Sequence, residues 1–218
     1  MLGWELEHPA IARNKFSHFM TEDQINKLAP LKPYLPAHLA RYLTPQVELA
    51  EALTVLKHIQ AVRAMLSSYL PNYLVQSISQ NPEPGKVNGG FHDGALLFAD
   101  VSGFTAMSEK LSVLGKEGAE EVTGIVNNYF AAMLEINGHF GGDLLKFGGD
   151  ALLIFFEGEV GSYRALATGS AMMDAMSAFE AVRTSQGVFP LRMKIGMAYG
   201  PVFLASLGTP QSMDHAVM

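Results

Sequence analysis

The sequence predicts an α+β protein in which a ferredoxin-like domain of βαββαβ order follows a small helical N-terminal region. From residue 94 onward the patterned segments follow the order strand, helix, two strands, helix, two strands, which is a ferredoxin-like arrangement. Before them, two prolines and three glycines interrupt all periodicity within residues 81–93. We therefore predict a helical region over residues 1–80, a linker over 81–93 and the main domain over 94–218.

Helix signals and an apolar stripe fill the N-terminal region. Residues 21–24 match a capping box, and residues 44–45 match an N-cap followed by proline, so helices should follow both. Apolar residues at three- and four-residue steps then run until Pro71: Leu53, Leu56, Ile59, Val62 and Leu66. This stripe either belongs to a signalling helix that couples an input or a partner to the next domain, or packs within a small helical subdomain. We favour the second, because such stripes usually serve cores.

The first strand of the main domain ends at a carboxylate. Residues 94–99 are a short apolar run typical of a buried strand, and Asp100 stands where the run stops. A glycine-containing turn over residues 102–105 leads into residues 106–111, which have helix-forming composition. The start of a helix offers free backbone N–H groups and the positive end of the helix dipole, which suit a phosphate.

Two further strands surround a second aspartate. Residues 143–147 and 151–156 read as a hairpin whose turn contains Gly148 and Gly149 and leaves Asp150 at its mouth. Either aspartate alone is typical of an ordinary turn. Both together, with Lys146 four positions before the second aspartate, indicate a site. If the hairpin pairs beside the first strand, the carboxylates converge and offer hard oxygen ligands for Mg²⁺ or Mn²⁺.

Two long segments have helical periodicity and predict core helices on one face of the sheet. They cover residues 119–137 and 163–182, and the second is rich in alanine and methionine. We interpret Met172, Met173 and Met176 as packing residues rather than as metal ligands or a binding surface.

Composition excludes several classes of function. The chain has 218 residues, 49% of them hydrophobic, so it can bury a core. It contains no cysteine, which excludes disulfides, thiolate zinc sites and cysteine nucleophiles. A net charge of −6 without a basic cluster argues against nucleic-acid binding. No apolar run approaches a membrane span, and the N-terminus lacks the basic start of a signal peptide, so we expect a cytoplasmic protein.

Three blocks in the main domain resemble the class III nucleotidyl cyclases, the family of adenylyl and guanylyl cyclases. They are FADVSGFT at residues 98–105, GGDLLKFGGD at 141–150 and GMAYGPV at 196–202. The wording of the first two blocks is most similar to the bicarbonate-responsive soluble adenylyl cyclases and their bacterial relatives. The resemblance implies a palm-like ferredoxin fold and conversion of ATP to 3′,5′-cyclic AMP and pyrophosphate, in signal transduction.

Site residues follow from the resemblance. It implies that Asp100 and Asp150, with the backbone carbonyl of Val101, bind two divalent cations. Nucleotide-binding positions are implied for the loop and one strand lysine: Ser102, Gly103, Phe104, Thr105 and Lys146. Lys146 matches a position that reads the purine base; the alternative is an exposed strand lysine with no such role. The resemblance places Ala216 at a further base-reading position.

The family also needs an asparagine and an arginine on a helix that this sequence does not reach, so the resemblance implies a cyclase domain incomplete at its C-terminal end. Activity should then require a second cyclase domain, in a homodimer or a pseudo-heterodimer. Three alternatives stay open at this point: a catalytically silent regulatory subunit, a guanylyl cyclase, and a diguanylate cyclase. The last is disfavoured because Ala151 stands where that family has a second acid.

Overall fold

The computed structural model describes residues 21–44, 47–81, 83, 85–209 and 211–218. These residues form two compact units that divide after Tyr69. The N-terminal segment before residue 21, the proline expected to start a helix at position 45 and the linker prolines at 82 and 84 lie outside the described residues. No helix among the described residues is long and apolar enough to cross a membrane.

The first unit is helical, as predicted. It contains α1 (Glu22–Leu28), a 3₁₀ helix (Ala29–Tyr34), α2 (Ala37–Ala40) and α3 (Leu49–Ser67). Its buried cluster consists of four aliphatic side chains: Leu35, Leu39, Leu43 and Val55. The helix expected to follow residues 44–45 begins instead after Glu48, whose backbone N–H donates to the Glu51 carboxylate at 3.3 Å.

The apolar stripe of α3 is buried only in part. Ile59 packs against the cluster of the first unit. Leu53, Leu56 and Leu66, however, are 45%, 48% and 52% exposed. The expectation that the whole stripe packs within the chain is therefore wrong for these three leucines. Only one edge of α3 contacts the small cluster.

The second unit is built on one antiparallel sheet. In chain order it contains α4 (Asn72–Gln80), β1 (Asn88–Ser102), α5 (Phe104–Ser112), α6 (Lys116–Phe140), β2 (Asp143–Gly148), β3 (Ala151–Glu157), α7 (Gly161–Ala175), a 3₁₀ helix (Met176–Phe179), β4 (Val182–Thr184), β5 (Gly187–Phe189), β6 (Arg192–Thr209) and β7 (Ser212–Val217). The main sheet has the order β2-β3-β1-β6-β7, and β4 pairs only with β5. The predicted α+β, ferredoxin-like fold class is confirmed.

The first strand is longer than its apolar run predicted. It begins at Asn88 rather than at residue 94, because β6 pairs with it continuously from Asn88 opposite Ser206 to Ser102 opposite Arg192. Residues 88–93 of the predicted linker are therefore strand. By its contacts α4 also belongs to the second unit, although the sequence assigned it to the N-terminal region. The division into domains otherwise stays a prediction.

The core lies between the sheet and helices α5, α6 and α7. The largest side chains without exposed surface include Leu97, Tyr129, Met133 and Phe156. The second core helix, predicted over residues 163–182, ends earlier than expected. α7 ends at Ala175, and Val182 already belongs to the β4–β5 hairpin. The methionine assignment is right for the buried Met172 and Met176, whereas Met173 is 49% exposed.

Candidate active site

The two predicted metal-binding aspartates lie at the same end of the β1–β3 pair. The last paired residues between these strands are Ala99 and Leu152, so Asp100 follows the ladder by one residue. Asp150 precedes β3 in the tight turn that closes the β2–β3 hairpin. Gly149, beside it, has φ +72°, a conformation that favours glycine. The convergence expected from the sequence thus follows from the register.

Asp100 belongs to the sheet face opposite α5, α6 and α7. Ala99 and Val101 are buried in the core beneath these helices. Because successive side chains alternate between the faces of a strand, Phe98 and Asp100 lie on the other side, which we call the open face. Lys194 of β6 stands directly opposite Asp100 and is exposed. Nothing in the local sequence marks Lys194, since only the β1–β6 register reveals this neighbour.

A β-bulge determines the face on which Lys146 lies. Leu144 is paired with Ile154, and the next pair is Lys146 with Leu153, so Leu145 is an extra residue. Directly opposed residues share a face of the sheet. Since Leu153 is opposite Phe98, Lys146 lies on the open face with Asp100. Strict alternation from Leu144, which packs in the core, would have placed Lys146 under the helices.

The turn after β1 presents the start of α5 at the same end of the sheet. Gly103 has φ +108°, and a Cβ added there would lie 2.5 Å from the Pro190 carbonyl oxygen, so the turn requires glycine. No side chain caps α5. Phe104 is buried and can offer only backbone groups, whereas Thr105 is exposed. The hydroxyl of Ser102 donates to the Arg192 carbonyl at 3.3 Å.

Tyr129 of α6 lies within the segment that its periodicity predicts as a core helix, and nothing in the sequence links it to the site. It has no exposed surface. Burial raises the pKa of its hydroxyl, and the negative charges of Asp150 and then Asp100 raise it further. Both carboxylates therefore act on one buried hydroxyl. The local sequence does not reveal this relationship, because Tyr129 lies 21 positions before Asp150 and 29 positions after Asp100.

The residues present suit divalent cations. Among the described residues, no group of three or more His, Cys, Asp or Glu side chains could hold a metal ion. Asp100 and Asp150 alone supply two hard carboxylates, and Mg²⁺ commonly binds through one or two carboxylates plus substrate phosphates. The donor set therefore fits a cation that arrives with a nucleotide better than a permanent protein-only metal site.

Comparison with known sequences identifies the family. Residues 89–215 match the family described as Adenylate and Guanylate cyclase catalytic domain. The chain belongs to this family. Its β1, hairpin and β6 blocks are thus those of a cyclase domain, and the resemblance to class III nucleotidyl cyclases is confirmed.

The relatives of this cyclase domain are named as adenylate cyclases. Adenylate cyclase type 10 of Rattus norvegicus is 36% identical over 147 residues, which cover 66% of this chain and 9% of that protein. Adenylate cyclase type 10 of Homo sapiens is 33% identical over 147 residues. The cyclase chain therefore spans less than a tenth of the length of these relatives.

A solved structure of a bacterial light-regulated adenylyl cyclase has a similar fold. It superimposes with a TM-score of 0.60 at 26% sequence identity, covering 78% of this chain and 48% of that one. The mixed fold with an antiparallel sheet is therefore that of cyclase catalytic domains.

Proposed function

We propose that this cyclase domain converts ATP to 3′,5′-cyclic AMP and pyrophosphate in intracellular signalling. The observation that carries the proposal is the register that brings Asp100 and Asp150 to one end of the sheet in a chain of the cyclase family. The relatives named adenylate cyclase favour ATP over other nucleotides. In the reaction, the ribose 3′-hydroxyl oxygen attacks the α-phosphorus in line, its proton is released, and pyrophosphate leaves.

The chain's residues bind and orient the nucleotide. Asp100, Asp150 and the Val101 carbonyl would hold two divalent cations. When bound, such cations acidify the attacking hydroxyl and neutralise phosphate charge. The uncapped start of α5 offers the backbone N–H groups of Phe104 and Thr105 to the phosphates, with the positive end of the helix dipole behind them. Lys146 would read the purine base from the open face.

A second cyclase domain, in a homodimer or a pseudo-heterodimer, is part of this proposal. Ala216 is paired with Ala205, and Ala205 with Gly89. From Gly89 to Asp100 the strand extends roughly 36 Å at ~3.3 Å per residue. A base-reading Ala216 therefore cannot serve the carboxylates of its own chain. The half-exposed Phe98 beside Asp100 also fits a face that another domain covers.

The test compares matched Asp→Asn variants in an assembled, active form supplied with ATP and Mg²⁺. Asp150→Asn and Asp100→Asn should abolish formation of cyclic AMP, measured by mass spectrometry. Asp93→Asn, an exposed position on the same strand β1, should retain full activity. Retention of most activity by Asp150→Asn at saturating Mg²⁺ would refute the cation assignment. Turnover by the isolated monomer at roughly one per second or more would refute the need for a second domain.

A further inference from the structure

Tyr129 is held rigidly in the core, beside the first residue of α5. Its ring meets Phe104, the first residue of α5, edge-on at a centroid distance of 5.4 Å and an interplanar angle of 77°. On another side it meets Phe179 at 5.7 Å and 82°. These edge-to-face contacts, together with complete burial, leave the hydroxyl little freedom to move.

The hydroxyl of Tyr129 is buried without a hydrogen-bond partner among the residues that the structure describes. Buried polar groups are almost always paired, because burying one without a partner is unfavourable. Phenylalanine would fill nearly the same space without burying a polar atom. Packing therefore explains the ring of Tyr129 but not its oxygen.

The neighbouring carboxylates indicate a hydrogen-bond partner for the hydroxyl. Asp150 contributes the larger and Asp100 the smaller of the two charge effects on its pKa, so both carboxylates lie within electrostatic reach. A phenol of ordinary pKa, about 10, is already protonated at neutral pH, so this hydroxyl can donate to a carboxylate. Asp150 lies in a turn rather than in a strand, and its side chain is therefore less constrained by the pleat than that of Asp100.

We propose that Tyr129 is a positioning residue for the metal site, whose hydroxyl donates a hydrogen bond to the Asp150 carboxylate when a cation is held there. A hydrogen bond to one oxygen of a ligating carboxylate fixes its orientation and leaves the other oxygen for the cation. This inference rests on the proposed function, since it requires that Asp150 binds a cation.

The test measures Mn²⁺ binding rather than turnover. The full chain is titrated with Mn²⁺ at a fixed concentration of 3′-deoxy-ATP, which lacks the attacking hydroxyl, and protein-bound Mn²⁺ is followed by its electron paramagnetic resonance signal. Tyr129→Phe should weaken binding by roughly 10- to 100-fold, as loss of an outer hydrogen bond typically does. The matched control is Tyr163→Phe, which removes a hydroxyl from a side chain of α7 that is 76% exposed. It should bind Mn²⁺ like the wild type.

Thermal unfolding without metal separates positioning from packing. Tyr129→Phe should unfold at the same temperature as the wild type or higher, because it removes an unpaired polar atom from the core. Wild-type affinity for Mn²⁺ in Tyr129→Phe, or loss of its folded state, would overturn the inference.

The Asp150→Asn variant distinguishes a failure of the Tyr129 inference from a failure of the proposed function. If the wild type and Asp150→Asn bind Mn²⁺ equally, or neither binds it, there is no cation site at Asp150 and both proposals fall. If Asp150→Asn alone weakens binding while Tyr129→Phe does not, only the role of Tyr129 is refuted.

Discussion

The carboxylate of Asp143 accepts a hydrogen bond from the backbone N–H of Asn72, with an N···O distance of 2.6 Å. Its other oxygen accepts one from the N–H of Tyr73 at 2.8 Å. Pro71, which precedes α4, supplies no capping side chain, so the first residue of β2 takes the place of an N-cap. Helix α4 is therefore attached to the hairpin that carries Lys146 and Asp150.

Removing this cap should destabilise the second unit. Asp143→Ala leaves two N–H groups of α4 without their acceptor and should lower the free energy of unfolding by about 1 kcal/mol. Asp143→Asn keeps one acceptor oxygen and should cost less. Urea titration followed by circular dichroism measures both differences. Equal stability of the alanine variant and the wild type would show that water replaces the cap at no cost.

The same carboxylate should give stability a defined pH dependence. Burial raises the pKa of Asp143, and the two backbone hydrogen bonds oppose the rise without cancelling it. The native state then binds the proton more tightly than the unfolded chain. The contribution of Asp143 is therefore greatest below the ordinary carboxyl pKa of about 4 and is lost as the pH rises through the raised value. Relative to Asp143→Asn, the wild type should lose stability from pH 4 to pH 7.

His215 should act in the opposite direction. Burial lowers the pKa of its imidazole, and the charge of Asp214 only partly opposes this. The native state therefore binds a proton less readily, so this stability contribution is present above the ordinary pKa of about 6.5 and is lost as the pH falls through the lowered value. Wild type should lose more thermal stability than His215→Gln between pH 7.5 and pH 5.5. A parallel pH dependence in the two proteins would contradict this.

Two glycine substitutions should change the free energy of unfolding in opposite directions. Gly103→Ala forces a side chain into a positive-φ position next to the Pro190 carbonyl and should cost roughly 1–3 kcal/mol. Gly124→Ala in α6 meets nothing within 4 Å and should stabilise the protein by up to about 1 kcal/mol. Chemical denaturation of both variants checks the pair. Tolerance of alanine at position 103 would mean that the turn before α5 can rearrange.

The aspartate pair should oppose folding when no cation is present. Two ionised carboxylates at one end of the sheet repel each other, and an asparagine relieves the repulsion at nearly equal volume. Asp150→Asn should therefore unfold at the same or a higher temperature than the wild type in chelator. Adding Mn²⁺ should then stabilise the wild type more than the variant. A lower melting temperature of the variant in chelator would point to a structural role for Asp150.

An assembled form should prefer ATP over GTP, but only weakly. Ala216 has no side-chain hydrogen bond for the adenine amino group, and sites without a buried polar selector discriminate weakly. Competing ATP and GTP at equal concentration should give mainly cyclic AMP with detectable cyclic GMP. Exclusive cyclic GMP, or discrimination beyond roughly ten-thousandfold, would contradict this prediction.

Local sequence was sufficient for the features that depend on nearest neighbours. The apolar run before Asp100, the Gly148-Gly149 turn and the periodicity of α6 each follow from neighbouring side chains and turn chemistry, and each prediction was confirmed. The fold class followed from the order of these elements.

Only the tertiary structure decided which distant residues meet. Lys194 stands opposite Asp100 and Asp143 caps α4 because strands and helices pair across 70 residues or more, and the local sequence carries no signal for such pairs. The bulge at Leu145 likewise overrides strand periodicity and turns Lys146 to the open face. Register is set by the combined burial of both strands, so a one-residue offset changes the face of a side chain while leaving its neighbours in sequence unchanged.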